Sequence, residues 1–322
     1  MKRIYNKNQE YIHTNLYIFP AYFIAMVLQP PLEDWKKAGK ITKEVREWSK
    51  SLIKSGAGLL EIAEAIENKI RSYGAVPAWP VNLSLNEVAA HDTALADEKK
   101  VLKDEIIKVD IGVCLNGAIG DTAYTIDLSG KYKRLVEASE SALNEVVKKI
   151  KPNMPINEIG KIIHDKIVSF GFKPVFNLSG HFIEKYEVHV NPNIPNYDNG
   201  NITPLKPGAI IAIEPFATNG EGRITDTKQA LIYELMSIKP IRDAIARTVL
   251  KYLEAQEKLP FCERGIVRGL GMDIQKVRYA LLKLAANKNI HPHNPLHEIS
   301  GGMVSQAEHT FYIGEKEAIV LT

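Results

Sequence analysis

Lys108–Asp127 reads KVDIGVCLNGAIGDTAYTID, two β-prone runs that meet at Asn116-Gly117. Asn-Gly there favours the left-handed backbone of a two-residue type I′ turn, so the stretch is predicted to be a hairpin. With Asn116 and Gly117 as the central pair, Leu115 faces Ala118, Val113 faces Gly120 and Gly112 faces Asp121. Side chains alternate along a strand, which puts Asp110 on the face of Gly112 and makes Asp121 its diagonal neighbour across the ladder. Two carboxylates converging on one spot repel each other, and one pKa rises unless cations hold both ionised. Where hydrolytic chemistry is done, a pair of metal ions about 3.5–4 Å apart is the common solution. On this stretch alone, a hairpin with two solvated surface acids accounts for the residues equally well.

Working outward, the chain before the hairpin carries apolar residues at helical spacing. Leu32, Trp35, Ala38, Ile41, Val45, Trp48 and Leu52 share one face, ended by Gly56 and Gly58; a second helix runs from Leu59 to Tyr73 and stops at Gly74. Pro77 and Pro80 then bracket an extended segment ending in His91. After Gly130 the plan repeats. Helices are predicted over Leu135–Ile150 and Ile156–Phe170, and Asn82-Leu83-Ser84 is echoed by Asn177-Leu178-Ser179, each followed by histidines. Val109-Asp110 before Asn116-Gly117 is echoed by Ile213-Glu214 before Asn219-Gly220. Such ordered self-similarity suggests two related helix–helix–strand–hairpin halves, whose two acid-bearing hairpins share one cleft.

From about Pro240 to Gly301 the chain turns helical again, with Ile241, Ala244, Ile245, Val249 and Leu253 on one face and Ile274, Val277, Leu281 and Leu284 on another. His291, His293 and His297 in HPHNPLH are read as a polar loop, because two prolines break the spacing a helical metal site needs. A last strand, Met303–Ile313, puts Val304, Gln306, Glu308 and Thr310 on one face, and Glu308 is costly to bury unpaired.

The bulk properties set limits. The 322 residues suffice for one large core or two modest ones, and the net charge of +3 is spread over dispersed lysines with no dense basic block for nucleic acid. Two cysteines, Cys114 and Cys262, give neither a disulfide framework nor a cysteine zinc pattern and fit a reducing compartment. The apolar run Leu16–Leu28 is shorter than the roughly 20 residues a spanning helix needs and is interrupted by Pro20. It is read as an extension outside the core, not as a membrane span or signal peptide.

Asp110, Asp121, Glu214 and Glu308 thus fall on predicted strands, with His181 in NLSGH as the nearest candidate nitrogen ligand. Four carboxylates and an imidazole suit a pair of divalent ions, with a donor set too mixed to choose among Mn, Fe, Co and Zn. Singly, a strand-end Asp is usually a turn residue and a lone His a surface or core group; jointly they are far more specific.

From about Leu32 onward the chain resembles the type II methionine aminopeptidases, particularly their short archaeal form. The matching signatures are PAWPVNLSLNEVAAH (77–91), KVDIGVCLNGAIGDTA (108–123), NLSGHFIEKYEVH (177–189), IAIEPFATNGEG (211–222) and VSQAEHT (304–310), together with the helical segment before the last acid. The resemblance implies an α+β pita-bread fold: pseudo-two-fold αβ halves around a curved antiparallel sheet. It divides the chain into an extension (1–30), a catalytic domain (31–239 and 301–322) and a helical insert subdomain (240–300). It further implies a cytoplasmic, monomeric metalloprotease that removes the initiator methionine from nascent chains whose second residue is small. Two divalent ions (Co, Mn, Fe or Zn) are implied, with Asp110 a ligand to one, His181 to the other, and Asp121, Glu214 and Glu308 holding or bridging both. Glu214 also maps onto the proton shuttle, His91 and His189 onto the histidines that bind the scissile amide, and Trp79, Pro80 and Thr225 near the methionine pocket. Transient ribosome contact is compatible with this; a specific nucleic-acid or membrane partner is not expected. Relatives tend to carry Phe where Trp79 stands, and Ala-Gly where Val190-Asn191 follow His189.

Overall fold

The computed structural model describes residues 29–226, 229–256 and 259–322. The Leu16–Leu28 run and nearly all of the expected extension lie outside the described residues. Among the described residues, no helix is long and apolar enough to cross a membrane.

The hairpin forms with the expected register. Its strands are Ile106–Leu115 and Ala118–Asp127, paired Leu115↔Ala118, Val113↔Gly120, Gly112↔Asp121 and Asp110↔Ala123. Asn116 and Gly117 both take positive φ, 55° and 89°, as a type I′ turn requires. This hairpin seeds a nine-stranded antiparallel sheet. In chain order its strands are β1 (Val76–Pro77), β2 (Asn82–Leu85), β3 (Ile106–Leu115), β4 (Ala118–Asp127), β5 (Ser179–Glu184), β6 (Glu187–Pro195), β7 (Ile210–Ile213), β8 (Glu308–Ile313) and β9 (Ala318–Val320). The spatial order is β1-β3-β4-β8-β7-β5-β6, with β2 paired to β3 and β9 to β8.

Helices α1 (Leu32–Ser49), α2 (Leu59–Ser72), α3 (Lys133–Lys149) and α4 (Ile156–Ser169) fall where apolar periodicity puts them, to within about two residues. Each half of the molecule packs its helices onto one face of its strands. In the first, Val45 of α1 and Ile62, Ile66 and Ile70 of α2 meet Val109, Ile111 and Val113 of β3. In the second, Ala142, Val146, Ile159 and Ile163 meet Ile211, Ile213, Phe311 and Ile313. The opposite sheet face is thereby left to Asp110, Gly112 and Asp121. Contact between α1 and the sheet is close: a Cβ on Gly120 would meet Thr42 Oγ1 at 2.2 Å.

Two expectations about the sheets around the acids need correcting. The second half has no acid-bearing hairpin: β7 ends at Ile213, and Phe216–Thr218 leaves for a separate small sheet with Val304–Gln306 and Lys173–Pro174. Pro215 between them has no N–H to continue a ladder. Likewise Met303–Ile313 is not one strand. Val304–Gln306 pairs with Phe216–Thr218, the ladder breaks at Ala307, whose N–H donates to Pro215 O at 3.2 Å, and β8 begins at Glu308.

The later segment builds its own unit. Strands Ile232–Leu235, Phe261–Cys262 and Ile290–His293 form a three-stranded sheet under α5 (Ala244–Glu254), α6 (Glu263–Leu270) and α7 (Ile274–Ala286). Their core includes Leu235, Val249, Leu253, Ile266, Val277 and Leu281. α5 starts at Ala244 rather than at Ile241 because the Asp243 side chain accepts from Ala246 N, and Asp273 caps α7 in the same way. HPHNPLH is therefore not a polar loop: it holds the end of strand Ile290–His293 and the start of strand Leu296–Glu298.

Candidate metal centre

Five strands adjacent in the sheet each present one candidate ligand to the same cleft. Asp110 comes from β3, Asp121 from β4, Glu308 from β8, Glu214 from the residue after β7, and His181 from β5. Their alignment follows from register: Asp110↔Ala123, Glu308↔Ala123, His309↔Ile213 and His181↔Ala212 keep all five within about one residue of a common line. The β4–β8 seam has only two paired positions, and threonines complete it. Thr310 Oγ1 accepts from Asp121 N at 2.7 Å and donates to Asp121 O at 2.9 Å; Thr122 Oγ1 donates to Glu308 O at 2.8 Å.

Donor atoms of Asp121, His181 and Glu308, all buried, lie within 4.8 Å of one another. His181 Nε2 stands 3.5 Å from Asp121 Oδ2 and 3.8 Å from Glu214 Oε1. Its Nδ1 lies 3.3 Å from the Phe182 carbonyl, an acceptor only, which assigns the proton to Nδ1 and leaves the Nε2 lone pair toward the acids. Gln306 Nε2 reaches Glu214 Oε2 at 3.3 Å and Glu308 Oε2 at 3.5 Å.

Burial raises the Asp110 carboxyl to about 7, opposed by a hydrogen bond from Trp79. Asp121 is held well above the carboxylate range by burial and then by Asp110; Glu214 and Glu308 rise too, by burial first and then by the charge of Asp121. Burial lowers His181 to about 3 and His91 to about 3, so both imidazoles are neutral donors or ligands at neutral pH. The buried Oδ1 atoms of Asp110 and Asp121 have no hydrogen-bond partner. Clustered acids with orphaned oxygens beside a lone-pair imidazole fit divalent cations: a cation would satisfy those oxygens and remove the repulsion.

The cleft encloses about 440 Å³. Trp79 lies flat over Gly112, where a Cβ would meet the indole at 2.4 Å. His189 is solvent-accessible within the cleft, its ring 4.6 Å from that of His181, and burial among protein atoms still lowers its pKa. His91, at φ +61°, closes the opposite side. Of the residues expected near a side-chain pocket, Trp79 lines the cleft. Pro80 lines a second cavity behind Trp79, and Thr225 is an exposed residue paired with His297.

Sequence reasoning missed His293 and Glu234. Both line the cleft, His293 Nε2 is 3.3 Å from Glu234 Oε2, and its ring lies 5.8 Å from that of His91. Alternation would have put His291 and His293 on one strand face, but the flanking prolines argued against a strand.

Residues 33–321 match metallopeptidase family M24. A methionine aminopeptidase of Methanocaldococcus jannaschii is 43% identical over 288 residues, covering 89% of this chain and 96% of that one. The crystal structure of a methionine aminopeptidase from Thermotoga maritima superposes with a TM-score of 0.66 at 21% identity over 92% of this chain and 99% of that one. A thermophilic Arx1 superposes with a TM-score of 0.77 at 13% identity over 90% of each chain, which shows the fold alone. With its pita-bread sheet and its five converging ligand-type side chains, the chain belongs to metallopeptidase family M24.

Proposed function

We propose that the chain is a methionine aminopeptidase that removes the initiator methionine from nascent polypeptides with a small second residue. The observation that carries this is the line of Asp110, Asp121, Glu308, Glu214 and His181 across five neighbouring strands, opening into a cleft walled by Trp79, Leu178 and Phe216. Those five residues would hold two divalent cations (Mn, Fe, Co or Zn), which when bound supply Lewis acidity: water of lowered pKa and a polarised scissile carbonyl. The protein does the rest. Gln306 Nε2 engages Glu214 Oε2, leaving Oε1 to take the proton that attacking water gives up. Neutral His91 and His189 donate to the scissile amide and to charge developing on its oxygen. The apolar walls suit a flexible thioether.

The separate apolar cluster of α5, α6 and α7 supports reading 240–300 as an insert on a catalytic body of 31–239 and 301–322. We read the enzyme as a cytoplasmic monomer that meets ribosomes transiently.

Two other readings define the test. A proline-directed aminopeptidase of this fold would cleave Xaa-Pro peptides, and a silent binding module would cleave none; the intact ligand set argues against the second. Purified protein supplied with Mn or Co is expected to release Met from Met-Ala peptides and to spare Met-Lys peptides. Preference for Xaa-Pro, or no release with any metal, would refute the proposal.

A further inference from the structure

We infer that Arg264, on helix α6 of the insert, is a positioning residue for His91 and acts through the loop 91–97. This rests on the reading that His91 contacts substrate. His91 follows the strand Val88–Ala90 in a left-handed conformation, and residues 91–95 belong to no helix or strand. A non-glycine residue keeps that conformation only when its surroundings impose it.

The insert supplies much of what surrounds it. Arg264 is 2% exposed; its Nη1 donates to Thr93 Oγ1 at 3.0 Å and to the Ala94 carbonyl, and its Nη2 donates to Glu67 of α2 at 2.5 Å. Thr93 Oγ1 passes the restraint on by donating to Val81 O at 2.7 Å, next to Asn82 in the cleft wall. Glu263 accepts from Ala96 N at 2.9 Å and is gripped by Arg278, which also reaches Asp97 at 2.6 Å. Thr93, Ala94, Ala96 and Asp97 are thus all bonded to the insert, and His293 sets its ring against that of His91 from the same unit. A planar guanidinium can serve a loop carbonyl, a hydroxyl and a carboxylate at once, which an ammonium on a single stem cannot do with the same rigidity. Buried ion pairs contribute little net stability compared with apolar packing, so this one is better explained by the geometry it fixes.

The test is a double-mutant cycle on the full, metal-loaded chain with a Met-Ala peptide. Arg264→Gln leaves Glu67 with Arg71 at 3.5 Å and Arg268 at 3.8 Å, so its carboxylate is not stranded. The variant is expected to lower kcat/KM between about 10- and 100-fold, chiefly in kcat, as for a misplaced catalytic group. In a His91→Ala background it should cost less than about twofold, because the residue it acts through is gone. In metal-free protein, amide exchange over 91–97 should quicken and the His91 imidazole NMR signals should shift, while exchange in the β3–β4 hairpin stays unchanged. Equal loss in both backgrounds, or unaltered kinetics and imidazole signals, would overturn the inference. Should Arg264→Gln not fold, Arg278→Gln enters the same cycle with the same two opposed outcomes. If the wild-type chain releases no Met, the peptidase reading fails on its own, and the exchange and imidazole signals still decide the role of Arg264.

Discussion

Asp110 and Asp121 come from neighbouring strands of one hairpin, whereas Glu214 and Glu308 come from strands that pair only after the whole of segment 215–307 has been made. The hairpin is closed by ten paired positions and a two-residue turn. The second pair is held by four paired positions between β7 and β8, and joins the first through a seam with two. Local pairing forms early at small entropic cost, and long-range pairing must bring its ends together first. One half of the site is thus specified by a short stretch and the other by the fold as a whole. On the proposed reading the halves are chemically equivalent, since a cation between them would need both.

The largest expected effect tests that equivalence. Asp121→Asn and Glu308→Gln should each lower kcat/KM for Met-Ala release by more than about 100-fold, beyond what the loss of an outer partner costs. Circular dichroism should show both variants folded. Near-normal turnover in one of them would mean that hairpin and long-range pair do not form a single site.

A smaller effect concerns the burial of a carboxyl in the hairpin half. The Asp110 carboxyl is raised to about 7, so between about pH 4 and pH 7 the folded chain binds more of its proton than the unfolded chain does. Stability from this group therefore falls as pH rises through that window and stays low above it. In chelator-treated protein, Asp110→Asn should be more stable than wild type at pH 8, by on the order of 1–2 kcal/mol, and no more stable near pH 4. Urea midpoints at the two pH values measure this. Adding Mn should reverse the order at pH 8, because only wild type then gains the full set of ligands. Wild type exceeding the variant at pH 8 without metal would show that Asp110 is not under strain.

The same contrast explains what the sequence made legible. The hairpin register, and with it the convergence of Asp110 and Asp121, could be read from Asn116-Gly117 and alternation alone, because a two-residue turn leaves no freedom of register. The helices α1 to α4 were readable because each buries one face. Glu214 and Glu308 are legible as strand acids, but no second hairpin forms around Glu214: Pro215 ends the ladder and the chain changes sheets. The break at Ala307 escaped for a related reason, since period-two alternation continues through it. His293 and Glu234 are illegible because they meet only across the small sheet that pairs Ile232–Leu235 with Ile290–His293, with Ile232↔His293 and Glu234↔His291 as the register.

The smallest effects separate the seam from the turn. Thr310→Val keeps the shape of a buried side chain but removes the hydroxyl that serves both Asp121 N and Asp121 O. The Asp121 carbonyl keeps Thr322 Oγ1 at 3.2 Å, while its N–H is left without that acceptor, at a cost of about 1–3 kcal/mol. Gly117→Ala strains a residue at φ +89° and presses its Cβ on Lys185 Cγ at 2.6 Å and on Tyr186 Cε2 at 2.9 Å, for about 1 kcal/mol. Comparable losses in urea midpoint should have unequal consequences for catalysis. The seam variant shifts the strand that carries Asp121 against the one that carries Glu308, and should lower kcat by about tenfold. The turn variant leaves that alignment alone and should keep kcat within about twofold. Equal kinetic losses would mean that the hairpin moves as one rigid body with the far acids, and that the threonines merely fill space.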